Sequence, residues 1–184
     1  MKKTTLYLIM AMAFQMFISS CGYNDMVTKR ESVDKQWGNV QSSYQRRADL
    51  VDNLVNTVKG EAKFEQETLT KVIEARASAT KMSIDPSKTT PEQLAKYQEA
   101  QGQLSAALGR LIMVSEQYPN LQANASFKEL RDQLEGTENR INTERNRYNE
   151  LVGDYNGTIR SIPQNIYASW FGFTARNYFE ADKT

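Results

Sequence analysis

The sequence predicts an all-α protein, specifically an antiparallel four-helix bundle with long helices in up-down-up-down order. In four segments the apolar residues recur at alternating spacings of three and four, which is the pattern of one helix face. No segment shows the period-two alternation that is typical of a half-buried strand. Only 9 glycines and 4 prolines stand among 184 residues, so long stretches of chain carry no helix breaker.

Composition excludes several classes of function. The chain has 23 Lys and Arg against 22 Asp and Glu, so it lacks the basic excess of a nucleic-acid-binding protein, and we expect no nucleic-acid partner. It has no histidine, which removes Ser-His-Asp and Cys-His catalysis, the usual zinc sites and the di-iron site of helical bundles. We therefore predict no catalytic residue, no metal and no cofactor. The single cysteine cannot form an internal disulfide.

The N-terminal segment predicts a signal peptide over residues 1–20. Lys2 and Lys3 form a short basic region, and residues 6–18 are apolar except for Gln15. This apolar run is shorter than the roughly 18 residues that a spanning helix needs, and it suits the apolar region of a secretory signal. An uncleaved signal-anchor with a chance cysteine is the alternative.

Cys21 is the predicted lipidation site. The stretch from Ile18 through Ser19 and Ser20 to Cys21 resembles the lipobox of bacterial lipoproteins, in which the cysteine is acylated after cleavage. Two or more acyl chains, palmitate among them, hold a protein stably at a membrane. This resemblance implies a lipid-anchored protein of the bacterial cell envelope that faces the periplasm or the exterior. Gly22 slightly favours the outer membrane, because an inner-membrane retention signal has Asp there.

Residues 21–162 form the predicted lipid-anchored bundle. Helix one covers about residues 24–59 and ends near Lys59 and Gly60. A weaker pattern over 61–82 predicts helix two, unless Gly60 is only a weak point in one long helix that is hairpinned against the rest. Residues 83–90 form a break rich in Ser, Thr and Pro.

Helices three and four have sequence signals at both ends. Helix three begins with Thr90 as N-cap, Pro91 and a capping-box Gln93, and Pro119 ends it. Helix four begins at Ser126, with Glu129 completing a second capping box, and stops before Pro163. At about 1.5 Å per residue, helices one and four are each roughly 50 Å long. Gly102 and Gly109 share one face of helix three. They either allow another helix backbone to approach closely or are two tolerated surface glycines.

Arg47 is a charged residue on the apolar stripe of helix one. A buried guanidinium without a partner is costly, and antiparallel pairing places residues near 136 of helix four at its level. We therefore predict that Arg47, with or without Arg46, meets Glu138 in a structural polar layer that fixes the helix register. Glu116 and Glu144 are reserve partners.

The chain resembles the LemA family over essentially its whole mature length. The most specific blocks are Arg-Arg-Ala-Asp-Leu at 46–50 and Thr-Glu-Asn-Arg-Ile at 137–141. Further similar blocks lie at 23–27, 51–55, 58–60, 116–121, 147–149 and 178–180. The resemblance implies a helical bundle held at a membrane by its N-terminus, with no established enzymatic activity. Relatives commonly begin with a transmembrane helix, so the lipoprotein-like signal is a departure.

Residues 163–184 form an aromatic-rich tail, predicted to pack at the membrane-proximal end of the bundle. Its rings are well suited to a membrane–water interface, so lipid contact is the competing hypothesis. We predict a non-enzymatic scaffold or interaction module with an envelope protein partner, and homo-oligomers are also possible. The alternatives are an envelope ligand or polymer binder, which needs an exposed groove, and a hydrolase that uses Glu116, Glu138 and Glu144 with Arg47.

Overall fold

The computed structural model describes residues 2–61 and 63–180, with side chains from Gly22 onward. In this part of the chain all regular structure is helical, which confirms the predicted all-α class. The helices are α1 (Lys2–Lys59), α2 (Gln66–Lys81), α3 (Pro91–Ser115), α4 (Pro119–Ala123), α5 (Ala125–Arg160) and α6 (Gln164–Trp170). The side chain of Cys21 and residues 181–184 lie outside the described part, and the structure does not test the lipidation prediction.

The two longest helices, α1 and α5, pack against each other in opposite directions. Lys29 Nζ donates a hydrogen bond of 2.7 Å to Thr158 Oγ1, and further along α1 Gln36 Nε2 donates one of 3.0 Å to the Glu144 carbonyl. Residue numbers therefore rise along α1 while they fall along α5. Among the described helices this antiparallel contact is the most extensive.

The helices α2 and α3 form a second antiparallel pair. Near one end the Tyr118 hydroxyl, just after α3, donates to the Lys63 carbonyl, just before α2. Nearer the other end Gln101 Nε2 donates to the Ala79 carbonyl. This pair joins α1 through an ion pair between Arg76 of α2 and Asp52 of α1.

The apolar core consists of two clusters along the helix axes. One contains Trp37, Tyr44 and Tyr148 together with aromatic residues of the tail. The other contains Leu54 of α1 and Leu104 of α3, with further leucines and valines of all the long helices. Arg47 follows Tyr44 and precedes Leu50 in the sequence, so it lies on α1 between the two clusters.

The starts of α1 and α2 differ from those predicted. The helix α1 begins at Lys2 and not near residue 24, so the apolar run at 6–18 belongs to the same helix as the first helix of the bundle. Its end at Lys59 is as predicted, and there the Gly60 amide donates to the Thr57 carbonyl in a turn. One helix running on to Met82 is therefore wrong, and α2 begins at Gln66, after a short connection.

The helix caps are partly as predicted. Thr90 and Gln93 form the predicted capping box at the start of α3. The predicted N-cap Ser126 is wrong, because Asn124 is extended and its side chain accepts a hydrogen bond from the Phe127 amide. Pro119 does not end α3, which stops at Ser115. It begins the short α4, since proline fits the first turn of a helix.

The predicted tail leaves the end of the bundle and then returns along it. Gly172 adopts a positive φ of 70°, a left-handed conformation that lets the chain turn after α6. Residues 173–180 then run without helix along the bundle, and Phe179 is buried in the core beside Trp37. The tail therefore extends further than an end cap. No described helix has the length and apolar character needed to cross a membrane.

Candidate functional site

Arg47 is the centre of the polar layer. Its side chain projects from α1 and the residue is only 1% exposed, the least accessible charged group among the described residues. Nη1 donates to Glu138 Oε2 at 2.8 Å and to Ser105 Oγ at 2.7 Å. Nη2 donates to Gln101 Oε1 at 2.5 Å and to the Gln101 carbonyl at 3.2 Å. One guanidinium thus binds α3 and α5 to α1.

The hydrogen bonds continue from Arg47 into the fourth long helix. Gln101 accepts from Arg47 with its side-chain oxygen and donates from Nε2 to the Ala79 carbonyl of α2 at 3.1 Å. Ser105 Oγ donates to Glu138 Oε1 at 3.0 Å, which orients the carboxylate. The polar layer, defined as Arg47, Gln101, Ser105 and Glu138, therefore connects α1, α2, α3 and α5 at one level.

The two charged side chains of the polar layer differ in their exposure to water. The Glu138 side chain keeps 39% of its exposure, whereas that of Arg47 keeps 2%. Arg47 depends on Glu138 for its counter-charge because water does not reach it, while Glu138 remains partly hydrated. The Tyr44 ring lies over the guanidinium, 5.2 Å from its centroid to Cζ, and adds a favourable cation–π contact.

The structure brings Arg47 and Glu138 together and leaves the other predicted partners elsewhere. Arg46 and Glu116 are both exposed. Glu144 accepts a hydrogen bond of 2.6 Å from Gln36 and lies 3.6 Å from Arg140, so it has partners of its own. The three carboxylates considered for a hydrolase therefore do not converge on Arg47.

Sequence reasoning missed two members of the polar layer. Gln101 occupies a position on the apolar stripe of helix three, where a buried amide needs hydrogen-bond partners. That position is the signal that could have identified it. Ser105 is half-buried beside the stripe, and nothing in the spacing singles it out.

A second buried arginine joins the tail to the bundle. Arg176 is 6% exposed, and its Nη2 donates to Asp34 Oδ1 of α1 at 3.0 Å. Asn156 of α5 holds the backbone of Arg176 at both its amide and its carbonyl, each at 2.9 Å. Burial raises the pKa of Asp34 despite the opposing effect of Arg176. The sequence does not predict this contact, because the tail shows no periodicity from which to place Arg176.

An open groove lies beside the polar layer. It has a volume of about 760 Å³ and reaches both Arg47 and Glu138 at the layer. The other charged side chains along it have both signs: Lys96 and Arg145 are basic, and Glu99 and Glu180 are acidic. Such a surface can accept a polar ligand with charges of both signs. Within the described residues, no group of three His, Cys, Asp or Glu side chains is placed to hold a metal ion.

Comparison with known proteins identifies the family. The sequence profile described as the LemA family matches residues 36–184. The chain belongs to the LemA family. The matched region contains the whole polar layer and the tail, whereas Cys21 and the N-terminal apolar run precede it. The membership that the sequence blocks implied is thereby confirmed.

Individual LemA-family relatives are similar at modest identity. Magnetosome protein MamQ 2 of Paramagnetospirillum magneticum is 30% identical over 175 residues, covering 86% of this chain and 64% of that protein. Magnetosome protein MamQ of Magnetospirillum gryphiswaldense is 29% identical, with 85% and 64% covered. Protein LemA of Metamycoplasma hominis is 23% identical, covering 89% of this chain and 71% of that protein. The chain thus spans just under two thirds of the length of its magnetosome relatives.

Proposed function

We propose that this LemA-family chain is a membrane-anchored, non-enzymatic scaffold or interaction module of the bacterial cell envelope. The observation that carries the proposal is that α1 runs without a break from position 21 to Lys59, so the residue proposed for acylation lies on the first long helix of the bundle. A bundle attached in this way stays close to the membrane and can present its outer faces to a partner.

The attachment itself is proposed to be acyl chains on Cys21, after removal of residues 1–20. Bundle packing begins close to that cysteine, since Met26 is already fully buried. The mature chain is nearly neutral, so acyl chains must provide the attachment without help from a basic patch. The bundle then faces the periplasm or the cell exterior. Two relatives of the chain are named magnetosome proteins, and a role at a membrane is consistent with those names.

The proposed architecture is a four-helix bundle of α1, α2, α3 and α5 in up-down-up-down order. The antiparallel contacts of α1 with α5 and of α2 with α3 support it. The polar layer supports it as well, because Arg47 and Gln101 bring all four helices to one level. We propose that this layer fixes register, as buried polar groups do in coiled coils, and that it takes part in no reaction.

A non-enzymatic role is favoured by how the buried charges are used. Arg47 and Arg176 each bind a carboxylate and backbone or side-chain groups of neighbouring elements, so both serve packing. The hydrolase alternative places Glu116 and Glu144 beside Glu138, and neither of those two residues lines the groove that contains Glu138.

Intact-mass analysis of the protein isolated from bacterial membranes tests the anchor. We expect a chain that begins at Cys21 with its mass increased by acyl groups. A Cys21→Ser variant should retain its signal peptide or leave the membrane fraction. An unmodified Cys21 in the native protein, or an intact signal, would contradict lipid anchoring.

In-cell photo-crosslinking tests the interaction role. Met113 lies on α3 and is 61% exposed, so a photoreactive residue there samples an outer face without disturbing the core. A photoreactive residue at the buried position of Leu111 is the matched control. We expect a discrete crosslinked band from Met113 that contains an envelope protein or a second copy. No crosslink from Met113 or from other outer positions would argue against a scaffold.

The second candidate is a binder of an envelope ligand or polymer, and the groove favours it. Gly102 lines the groove, and no atom lies within 4 Å of a Cβ built there. Gly109 is equally open but does not line the groove, which makes it a matched control. If the groove binds peptidoglycan, Gly102→Trp should abolish co-sedimentation with isolated sacculi and Gly109→Trp should not. Equal behaviour of both variants would remove this candidate.

A further inference from the structure

Large apolar side chains are exposed together at one end of the bundle. Ile162, Ile166, Trp170 and Phe171 are 83%, 50%, 75% and 58% exposed, and we call these four residues the end patch. They lie on or beside α6, whose other side packs through the buried Ala168. Soluble surfaces rarely gather such residues without a partner for them.

The end patch lies next to the first described residues of α1. The rings of Tyr23 and Phe171 are 4.9 Å apart between centroids and meet edge to face. Gln164 of α6 approaches Gly22, with 3.6 Å between its Cγ and a Cβ built on the glycine. Gly22 directly follows Cys21, so the end patch is at the end of the bundle from which the apolar run departs.

The charge pattern around the end patch suits lipid. From Tyr155 to Phe179 the sequence contains no Asp or Glu, although the chain has 22 of them. The polar residues next to the patch in the sequence are neutral ones such as Gln164 and Asn165, together with Arg160, and on α1 the nearby Asp25 pairs with Lys29 at 3.5 Å. Aromatic rings are stable at the membrane–water interface, whereas carboxylates would meet unfavourable desolvation and anionic headgroups there.

We propose that the end patch inserts into the membrane–water interface beside the anchored N-terminus. This inference rests on the proposed membrane anchoring and adds a second point of attachment. An acyl anchor alone leaves the bundle free to rotate and tilt about one point. Two adjacent contacts hold α6 against the lipid and set which faces of the bundle remain available to a partner.

Tryptophan fluorescence of the lipidated mature protein tests the proposal. The protein has two tryptophans: Trp37 is 4% exposed in the core, and Trp170 belongs to the end patch. Trp37→Phe leaves Trp170 as the sole emitter, and Trp170→Phe leaves Trp37. Trp37 Nε1 makes no hydrogen bond within the described structure, so phenylalanine is a tolerable replacement, and circular dichroism verifies the fold.

Each variant is purified as the lipidated mature protein and reconstituted in phosphatidylcholine vesicles with brominated or plain acyl chains. Interfacial rings lie at headgroup level, within reach of bromine, so Trp170 should lose about half its emission in brominated vesicles while Trp37 loses little. Adding Ile166→Ser and Phe171→Ser should reduce the quenching of Trp170. The exposed-residue control Met113→Ser should not.

Flotation of the same vesicles separates this inference from the anchoring on which it rests. Vesicles that carry the protein without quenching of Trp170 would overturn the end-patch proposal alone, and quenching by aqueous acrylamide would then place the patch in water. Protection from both quenchers would mean that a second copy or another part of the sample covers the patch, and it would also overturn the proposal. Protein that fails to float would overturn anchoring and the end-patch proposal together.

Discussion

Phe179 lies face to face with Trp37, with ring centroids 5.4 Å apart and planes inclined by 13°. Tyr148 of α5 meets the same Phe179 ring edge-on at 5.2 Å. Asn149 holds the Phe179 backbone, donating to its carbonyl at 2.9 Å and accepting from its amide at 2.8 Å. The end of the described tail is therefore part of the core and binds α1 to α5.

Removing the Phe179 ring should strongly destabilise the bundle. A Phe179→Ala substitution loses a side chain that is 3% exposed and leaves a cavity against Trp37 and Tyr148. Such core truncations cost about 3–5 kcal/mol. Urea unfolding of the full chain in detergent, followed by circular dichroism, measures the change in the free energy of unfolding.

The matched control is Phe171→Ala, which truncates the same residue type at a position that is 58% exposed. In detergent this change should remain within about 0.5 kcal/mol of the parent protein. Equal losses for Phe179→Ala and Phe171→Ala would show that the tail is not held in the core as described.

The polar layer should respond asymmetrically to loss of its two charges. Glu138→Gln leaves the buried guanidinium of Arg47 without its counter-charge, which should cost about 3 kcal/mol or more. Arg47→Met replaces the guanidinium by an apolar chain and leaves a carboxylate that water already reaches, so its cost should be smaller. The double variant should be more stable than Glu138→Gln alone.

Urea unfolding of the three variants tests this order, and Arg46→Met, an exposed neighbour, serves as the control with a change within about 0.5 kcal/mol. Additive losses in the double variant would mean that Arg47 and Glu138 stabilise the bundle independently. The pair would then have no role in fixing register.

Substitutions at two glycines should change the free energy of unfolding in opposite directions. Gly172 has a φ of 70°, so Gly172→Ala forces a side chain into a left-handed conformation and should cost about 1 kcal/mol. Gly102 lies on the exposed face of α3 with no atom within 4 Å of an added Cβ. Gly102→Ala should therefore stabilise by up to about 1 kcal/mol through helix propensity. Thermal unfolding of both variants provides the comparison, and a stabilising Gly172→Ala would contradict the turn after α6.

Alkaline unfolding should depend on Tyr148. Burial raises the pKa of this phenol from 10.0 to about 12, so the folded protein retains a proton that the unfolded chain releases earlier. The corresponding stability is fully present below pH 10 and is lost as the pH rises through 12. A Tyr148→Phe variant cannot ionise there, and its alkaline midpoint should move to higher pH.

Circular dichroism between pH 9 and 13 checks the Tyr148 prediction, and unfolding in urea at pH 7 is the internal control. At pH 7 the variant should differ little from the parent, because the buried ring is retained. An unchanged alkaline midpoint would show that Tyr148 is not protected in the folded state.

Helix boundaries show where sequence patterns suffice and where they do not. The start of α3 was predictable because Thr90 and Gln93 satisfy backbone groups within a single turn. The start of α5 was misplaced, since Ser126 and Asn124 are both good caps and only the extended backbone at Asn124 selects between them. The sequence predicts that α1 ends near Lys59 but leaves one longer helix as an alternative, because a glycine inside a helix costs only about 1 kcal/mol of stability. Tertiary packing can outweigh a cost of that size.

The sequence by itself determined the helical class, the stripes that form the core and the burial of Arg47 opposite Glu138. The helical class and the stripes follow from the periodicity of apolar residues along each helix. The pairing of Arg47 with Glu138 follows from the cost of an unpaired buried charge and from the antiparallel arrangement of two helices. Only the tertiary structure decided that Gln101 extends the polar layer to α2 and that Arg176 and Phe179 return to α1. Those contacts join residues that are distant in the chain. The non-helical tail has no periodic pattern of apolar residues, so its path cannot be predicted from residue spacing.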